Sequence, residues 1–171
     1  MIHRKLNFFF WIILTSQLAF SSCGVYSFTG ASIPPEAKTI SIATFPNKAE
    51  IVQPSLSQTF TEKLKDRFSS QTSLSLIPRN GDLQLEGEIT GYETEPIAIS
   101  GDQQASMIRL KITVNVRFFN KFEPKNNYET AISRYQDYPS SQDLRTVEQN
   151  LIDLISNDLV EDIFNKSVVN W

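Results

Sequence analysis

The chain contains very little histidine, cysteine and glycine, and each shortage excludes a class of chemistry. Its 171 residues include one histidine, His3, and one cysteine, Cys23. If the amino-terminal segment is removed on export, no histidine remains. That outcome excludes Ser-His-Asp and Cys-His catalysis, and zinc sites built from histidine and cysteine, in the mature protein. The six glycines form no phosphate-binding loop, and the sequence has no Ser-x-x-Lys motif.

Positive charge is also scarce, with 16 lysines and arginines against 19 aspartates and glutamates. This balance argues against nucleic acid as a partner, because nucleic-acid binding needs a basic surface. Glu86 and Glu88 share one face of a predicted strand, where paired carboxylates can act in acid-base catalysis. A solvated strand face with basic neighbours explains them better. We therefore expect no enzymatic activity, no cofactor and no metal site.

Residues 1–22 have the features of a bacterial lipoprotein signal peptide. Arg4 and Lys5 precede an apolar run, Phe8 to Leu14, that is too short to span a bilayer. Ser21-Ser22-Cys23 then resembles a lipobox, although Phe20 lies where leucine is usual. The pattern predicts cleavage between Ser22 and Cys23 and lipidation of Cys23, an effectively permanent membrane anchor. The alternative is a standard signal peptide followed by a free thiol.

The remaining chain divides into a tether and one domain. Residues 23–38 contain Gly30, Pro34 and Pro35 and are predicted to be the lipidated tether. Residues 39–171 are long enough for a single domain with a core. No aspartate follows Cys23 directly, so the expected location is the outer membrane, facing the periplasm.

The first part of the domain is predicted to be a strand, a helix and a second strand. Thr39 to Phe45 alternates apolar and polar residues, which favours a strand. A helix opening at Pro54 would carry one apolar stripe formed by Leu56, Phe60, Leu64 and Phe68. Leu74 and Leu76 mark a short strand. Asn80-Gly81 then predicts a two-residue hairpin turn.

Two long strands follow. The first is predicted to place Leu83, Leu85, Gly87, Ile89 and Gly91 inward and Tyr92 outward. The second alternates apolar residues from Ile108 to Phe118 with polar ones, beginning at Arg109. A two-residue turn at Gly101-Asp102 would set Ile89 opposite Val114 and Glu86 opposite Arg117, whereas a four-residue turn would set Glu88 opposite Arg117.

The chain ends in a further strand and a long helix. Tyr128 to Gln136 is a plausible fifth strand. Ser140 and Asp143 resemble a capping box at the start of the last helix. Its apolar stripe would contain Leu144, Val147, Leu151, Leu154, Ile155, Leu159 and Ile163. The order β-α-β-β-β-(β)-α predicts an α+β fold, a mixed sheet of four or five strands with two helices packed on one face.

Basic residues on the second long strand are candidate contacts for a partner or for lipid phosphates. Arg109, Lys111 and Arg117 line its polar face, and Lys121 follows in the next loop. Guanidinium and ammonium groups bind phosphates well, but a mixed-charge surface explains each single residue more simply. Phe119 and Phe122 lie out of phase with the buried face, so they either close the sheet edge or contact a partner.

Several segments together resemble the LptE family of lipopolysaccharide-assembly lipoproteins. They are Cys23 to Phe28, Phe45-Pro46-Asn47, Pro54 to Ser57, Phe60 to Phe68, Gly81 to Tyr92, Glu161 to Lys166 and Asn170-Trp171. The match rests on their order and spacing, since none is a catalytic signature.

The resemblance implies a non-enzymatic protein that plugs LptD, a large outer-membrane β-barrel, and binds lipopolysaccharide. Cys23 is the one residue whose role the resemblance transfers. Two other interpretations remain open. One is a periplasmic activator lipoprotein that docks on a cell-wall synthase. The other is a curli-type secretion lipoprotein, which the charged face of Arg109, Lys111 and Arg117 disfavours.

Overall fold

A five-stranded mixed sheet carries two helices on one of its faces, as the sequence predicts. The computed structural model describes residues 33–97 and 106–169. The strands follow the spatial order β2-β1-β3-β4-β5, with β1 parallel to both of its neighbours and the other pairs antiparallel. The elements in chain order are β1 (Thr39–Ile42), α1 (Leu56–Gln71), β2 (Ser75–Leu76), β3 (Leu83–Ile97), β4 (Met107–Asn120), β5 (Tyr128–Pro139) and α2 (Leu144–Val168).

The core lies between the helices and one face of the sheet, which we call the helix-covered face. The predicted stripe of α1 is fully buried there, and Phe60 packs edge-on against Phe45 at 5.2 Å. Most of the predicted stripe of α2 is also buried. The prediction is wrong for Leu154, which is 41% exposed. Ile33 and Ala37 already pack on this core, ahead of β1.

The ends of three elements differ from the sequence prediction. Asp143, not Ser140, caps α2: its Oδ1 accepts a hydrogen bond of 3.0 Å from the backbone nitrogen of Arg145. The strand β1 ends at Ile42 rather than Phe45, although the Ala43 nitrogen still donates to Leu85. Helix α1 begins at Leu56, two residues after Pro54.

The predicted hairpin at Asn80-Gly81 is wrong. β2 and β3 are not neighbours, because both pair in parallel with β1 and lie on its two sides. Asn80 does adopt a left-handed conformation, with φ of 56°. The Gly81 nitrogen then donates to Ser41 Oγ, and a Cβ at Gly81 would lie 2.7 Å from the carbonyl carbon of Ile40. Glycine is needed because the chain crosses β1 in close contact with its backbone.

The register between β3 and β4 is one of the two predicted. Ile89 lies opposite Val114 and Glu86 opposite Arg117. A β-bulge at Thr90 then shifts the pairing, so that Gly91 faces Thr113. Beyond the bulge the strand alternation is inverted, and Tyr92 is buried under the helices instead of pointing outward. The turn predicted at Gly101-Asp102 lies outside the described residues.

Candidate functional site

The sheet face opposite the helices, which we call the open face, is polar over most of its length, with the apolar Met107 and Phe119 near the two ends of β4. Its side chains come from alternate positions of three neighbouring strands, so the strand pairing places them in cross-strand rows. The open face comprises Glu86, Glu88, Glu93, Glu95, Arg109, Lys111, Thr113, Asn115, Arg117, Glu129, Ala131, Ser133, Tyr135 and Asp137.

Arg109 is the most tightly held cation of the open face. Its Nε and Nη2 donate to the two carboxylate oxygens of Asp137 at 2.8 and 2.9 Å. Its guanidinium carbon also lies 3.6 Å from the centroid of the Tyr135 ring. The hydrogen bond to Asp137 raises the pKa of Arg109, and the same bond lowers the pKa of Asp137. A fork of this geometry fixes the direction of the guanidinium plane.

Lys111 and Arg117 are paired across the sheet as well. Lys111 Nζ lies 2.9 Å from Glu93 Oε2, and this contact raises the pKa of the lysine. Arg117 Nε donates to Glu86 Oε1 at 3.2 Å, which is the pairing predicted from the two-residue register. All three basic residues predicted on this strand therefore have a carboxylate partner.

The middle of the open face holds uncharged hydrogen-bonding groups. The hydroxyl groups of Thr113 and Ser133 lie 2.8 Å apart, and Asn115 Nδ2 donates to Glu129 Oε1 at 3.2 Å. Side chains of this kind can exchange their partners for water or for another polar surface at little cost. The centre of the face is therefore suited to polar contact.

Carboxylates outnumber cations on the open face. Arg109, Lys111 and Arg117 are its cations, whereas its acids are Glu86, Glu88, Glu93, Glu95, Glu129 and Asp137. A phosphate approaching any of the three cations must compete with a carboxylate already in contact. The electrostatics of this face thus favour a polar protein surface over a polyanion.

Lys121 lies apart from the other three predicted contact residues. It follows the end of β4, its side chain is 68% exposed, and its Nζ is 3.8 Å from Asp82 Oδ1. Phe122 is 40% exposed and lies under Lys121 Nζ, at 5.5 Å from the ring centroid. Lys121 is therefore less constrained than the cations of the open face.

Asp82 joins three segments at this end of the sheet. Its Oδ2 accepts hydrogen bonds from the backbone nitrogens of Lys38 and Thr39 and from Thr39 Oγ1, at 2.9 to 3.2 Å. The hydrogen bond from Lys38 is the largest cause of its lowered pKa. These contacts fix the start of the domain next to Lys121.

On the helix-covered face, polar contacts tie the helices to the sheet. Tyr92 Oη donates to Glu148 Oε1 at 2.5 Å, and Arg134 pairs with Asp162 at 2.7 Å. Tyr128 shares a hydrogen bond of 2.8 Å with Ser167, and burial raises the pKa of this tyrosine to about 12. Sequence reasoning missed the contact of Tyr92 because the bulge that turns this residue inward leaves no local signal.

The described residues contain no group of three or more side chains suited to holding a metal ion. None of the helices in residues 33–97 and 106–169 is long and apolar enough to cross a membrane. Ser22 and Cys23, the predicted cleavage and lipidation positions, lie outside the described residues.

The family of this chain follows from a match between its sequence and a family model. The sequence model of the LptE family, described as lipopolysaccharide-assembly, matches residues 37–167. The chain belongs to the LptE family. The match covers every helix and strand except the last residue of α2, so the domain as folded here is the unit that the family shares. A search of curated proteins found no match to the sequence.

Solved structures match this LptE-family chain at low sequence identity, and the first two described here share its fold. A hypothetical protein from Chlamydia trachomatis is 16% identical, with a TM-score of 0.50 over 74% of this chain and 93% of that one. A homologue of a neuraminyllactose-binding hemagglutinin from Helicobacter pylori is 11% identical, with a TM-score of 0.51 over 80% and 86%. A minor lipoprotein from Acinetobacter baumannii is 15% identical, with a TM-score of 0.46 over 76% and 91%.

Proposed function

We propose that this protein is a non-enzymatic component of the outer-membrane lipopolysaccharide translocon that binds an LptD-like β-barrel and occupies part of its lumen. The observation that carries the proposal is the open face. It is a regular sheet surface, polar over its central rows, and both helices pack on the opposite side. Membership of the LptE family supports the general role in lipopolysaccharide assembly.

The open face has the properties that a barrel lumen requires. The lumen of a large outer-membrane barrel is polar and hydrated. Arg109, Lys111 and Arg117 each bring a carboxylate partner with them, so docking there does not strand an unpaired cation away from water. Thr113, Asn115 and Ser133 supply groups for direct and water-mediated hydrogen bonds.

Lipopolysaccharide contact is the second part of the proposal, and Arg109, Lys111, Arg117 and Lys121 are its candidate residues. Lys121 is the best placed of the four, because it is the most exposed and has the longest ion pair. Arg109 is the least available, because Asp137 holds it through two hydrogen bonds. We therefore assign Lys121 to the lipid phosphates and the three strand residues to the barrel.

The proposal also includes attachment to the outer membrane, facing the periplasm, through lipid on Cys23. The support is the short apolar run ending in Ser21-Ser22-Cys23. Labelled palmitate should enter the wild-type protein and not the Cys23→Ala variant. Equal labelling of both proteins would contradict the lipid anchor.

Depletion and affinity purification together test the assembly role. After depletion, lipopolysaccharide should fail to reach the cell surface, and purification of the tagged protein from detergent extract should recover a large β-barrel. Normal surface lipopolysaccharide after complete depletion would contradict the proposal. Recovery of a cell-wall synthase in place of a barrel would favour the activator interpretation instead.

A further inference from the structure

The two edges of the sheet differ greatly in length. At one edge, β2 has only two residues, Ser75 and Leu76. At the other, β5 runs for twelve residues, from Tyr128 to Pro139, and pairs with β4 on one side only. Within the described part of the chain, no strand pairs with the other side of β5. A long unpaired edge presents a row of free backbone donors and acceptors.

The register shows which residues of β5 carry those free groups. The Ser140 nitrogen donates to the Ser106 carbonyl at 2.9 Å, so the Ser106–Ser140 pair is a hydrogen-bonded pair of the antiparallel ladder. Pairing from Met107–Pro139 to Phe118–Tyr128 continues without a shift. Hydrogen-bonded pairs alternate along such a ladder. Backbone groups therefore point outward from the edge at Glu129, Ala131, Ser133, Tyr135 and Asp137.

The usual protections of an edge strand are missing from most of β5. Natural edges carry bulges, prolines or lysines that prevent another strand from adding. The β4–β5 pairing has no bulge, and the single proline of β5, Pro139, is its last residue. It has no lysine. Its charged side chains, Glu129, Arg134 and Asp137, already bond within the domain to Asn115, Asp162 and Arg109. The stretch from Glu129 to Asp137 is thus a complete template for strand addition.

We infer that this edge pairs with an extended segment of the barrel partner that carries lysine or arginine side chains. The charge around the edge selects this occupant. Carboxylates border it on both sheet faces. Asp137 and Asp162 are already paired with Arg109 and Arg134. Glu129 on the open face and Asp158 on the side of α2 accept hydrogen bonds from the neutral amides of Asn115 and Gln136, so these two keep their negative charge uncompensated by those donors. Backbone hydrogen bonds would supply affinity, and basic side chains at the ends of the segment would supply specificity.

A second copy of the chain fits this edge poorly in the two registers that overlap most. An antiparallel pair centred on Ser133 would place Glu129 opposite Asp137 at both ends. A parallel pair in register would place each Glu129 beside its equivalent. Like charges directly opposite each other destabilise strand pairing.

Proline substitutions test the edge directly, because proline removes the backbone N–H at the position that it occupies and is tolerated in an edge strand where that N–H points outward. Ala131→Pro and Ser133→Pro remove outward N–H groups and should leave the β4–β5 ladder intact. Ser133→Ala is the matched control, since it also loses the hydroxyl bonded to Thr113 but keeps the N–H. Ile132→Pro removes an inward N–H and should unfold the domain, which checks the assignment of the pairs.

The readout is the amount of barrel recovered with each tagged variant, beside its thermal unfolding midpoint. Ser133→Pro and Ala131→Pro should fold but bind the barrel roughly tenfold more weakly than Ser133→Ala, a loss of about 1.4 kcal/mol. Wild-type recovery with both folded proline variants would overturn the inference. So would loss of a dimer in place of loss of the barrel.

This inference rests on the proposed function, and the two can fail separately. If the wild-type protein recovers no barrel, the proposed function fails, and the edge inference fails with it. If the wild-type and both proline variants recover the barrel equally, the proposed function stands and the edge inference alone is wrong.

Discussion

The two faces of one sheet are built from alternate residues of the same strands, yet different forces hold them. On β4, Ile112 and Val114 are fully buried beneath the helices, whereas Thr113 and Asn115, which alternate with them along the strand, lie on the open face. The helix-covered face gains its stability from apolar burial, at about 25 cal/mol per Å². Cross-strand ion pairs and hydrogen bonds on the open face contribute much less. The helix-covered face therefore stabilises the domain, and the open face is left for recognition.

Phe60→Ala should have the largest effect, because it breaks the helix-covered face at its centre. Phe60 is fully buried and packs on Phe45, so its loss should cost roughly 3–5 kcal/mol of unfolding free energy. Urea unfolding followed by circular dichroism measures this cost. Leu154→Ala, at an exposed position of α2, is the control and should change stability by no more than about 0.5 kcal/mol. A fully stable Phe60→Ala protein that loses only lipid binding would show that the stripe is a ligand groove.

Tyr128 should make the helix-covered face sensitive to alkaline pH. Burial raises its folded-state pKa from 10.0 to about 12, so its contribution is fully present below pH 10 and is lost as pH rises toward 12. A shift of two pKa units corresponds to at most about 3 kcal/mol of unfolding free energy. Tyr128→Phe should flatten the alkaline loss of stability in unfolding curves recorded from pH 9 to 12. If stability fell equally with pH in the two proteins, burial would not raise the pKa of Tyr128.

Arg117→Ala tests the open face and should have a small effect. The pair with Glu86 is about half exposed, and such surface pairs contribute about 1 kcal/mol or less. The difference from wild type should vanish in 1 M salt, where charges are screened over about 3 Å. A loss comparable to that of Phe60→Ala would contradict the division between the two faces.

Asp137 should give the open face a weak sensitivity to acid. Its bond to Arg109 lowers its folded-state pKa below 3.8, so its contribution is present above pH 3.8 and is lost as pH falls through the folded-state value. Asp137→Asn should therefore lose less stability than wild type between pH 5 and 2, although it starts lower. The melting temperature across this range measures the slope. An unchanged acid slope would show that the Arg109–Asp137 fork carries no net stability.

Regular periodicity made much of the fold predictable. The four-residue stripe of α1 and the strict alternation of β4 come from burial on one side, which leaves its pattern in the sequence itself. Matching the apolar faces left two registers, and the structure has the one that sets Glu86 opposite Arg117. The three strand cations of the candidate site were predictable for the same reason, since alternation assigns Arg109, Lys111 and Arg117 to one face.

The remaining features depend on contacts between distant parts of the chain. Asn80-Gly81 has the local chemistry of a hairpin turn, but β1 occupies the position between β2 and β3. The bulge at Thr90 inverts the faces of β3 beyond it, which no composition signal marks. The stacking of Arg109 on Tyr135 depends on the β4–β5 register, which the sequence analysis left unspecified.

The central claim is that the open face, rather than the helices, docks in the barrel. Photo-crosslinkers placed singly at Thr113 and Asn115 on the open face, and at Gln149 and Asp153 on α2, test it in living cells. These positions lie on opposite sides of the domain, so one experiment reports the orientation. We expect crosslinks to the LptD-like barrel from Thr113 and Asn115. Crosslinks from Gln149 and Asp153 alone, with none from the open face, would contradict it.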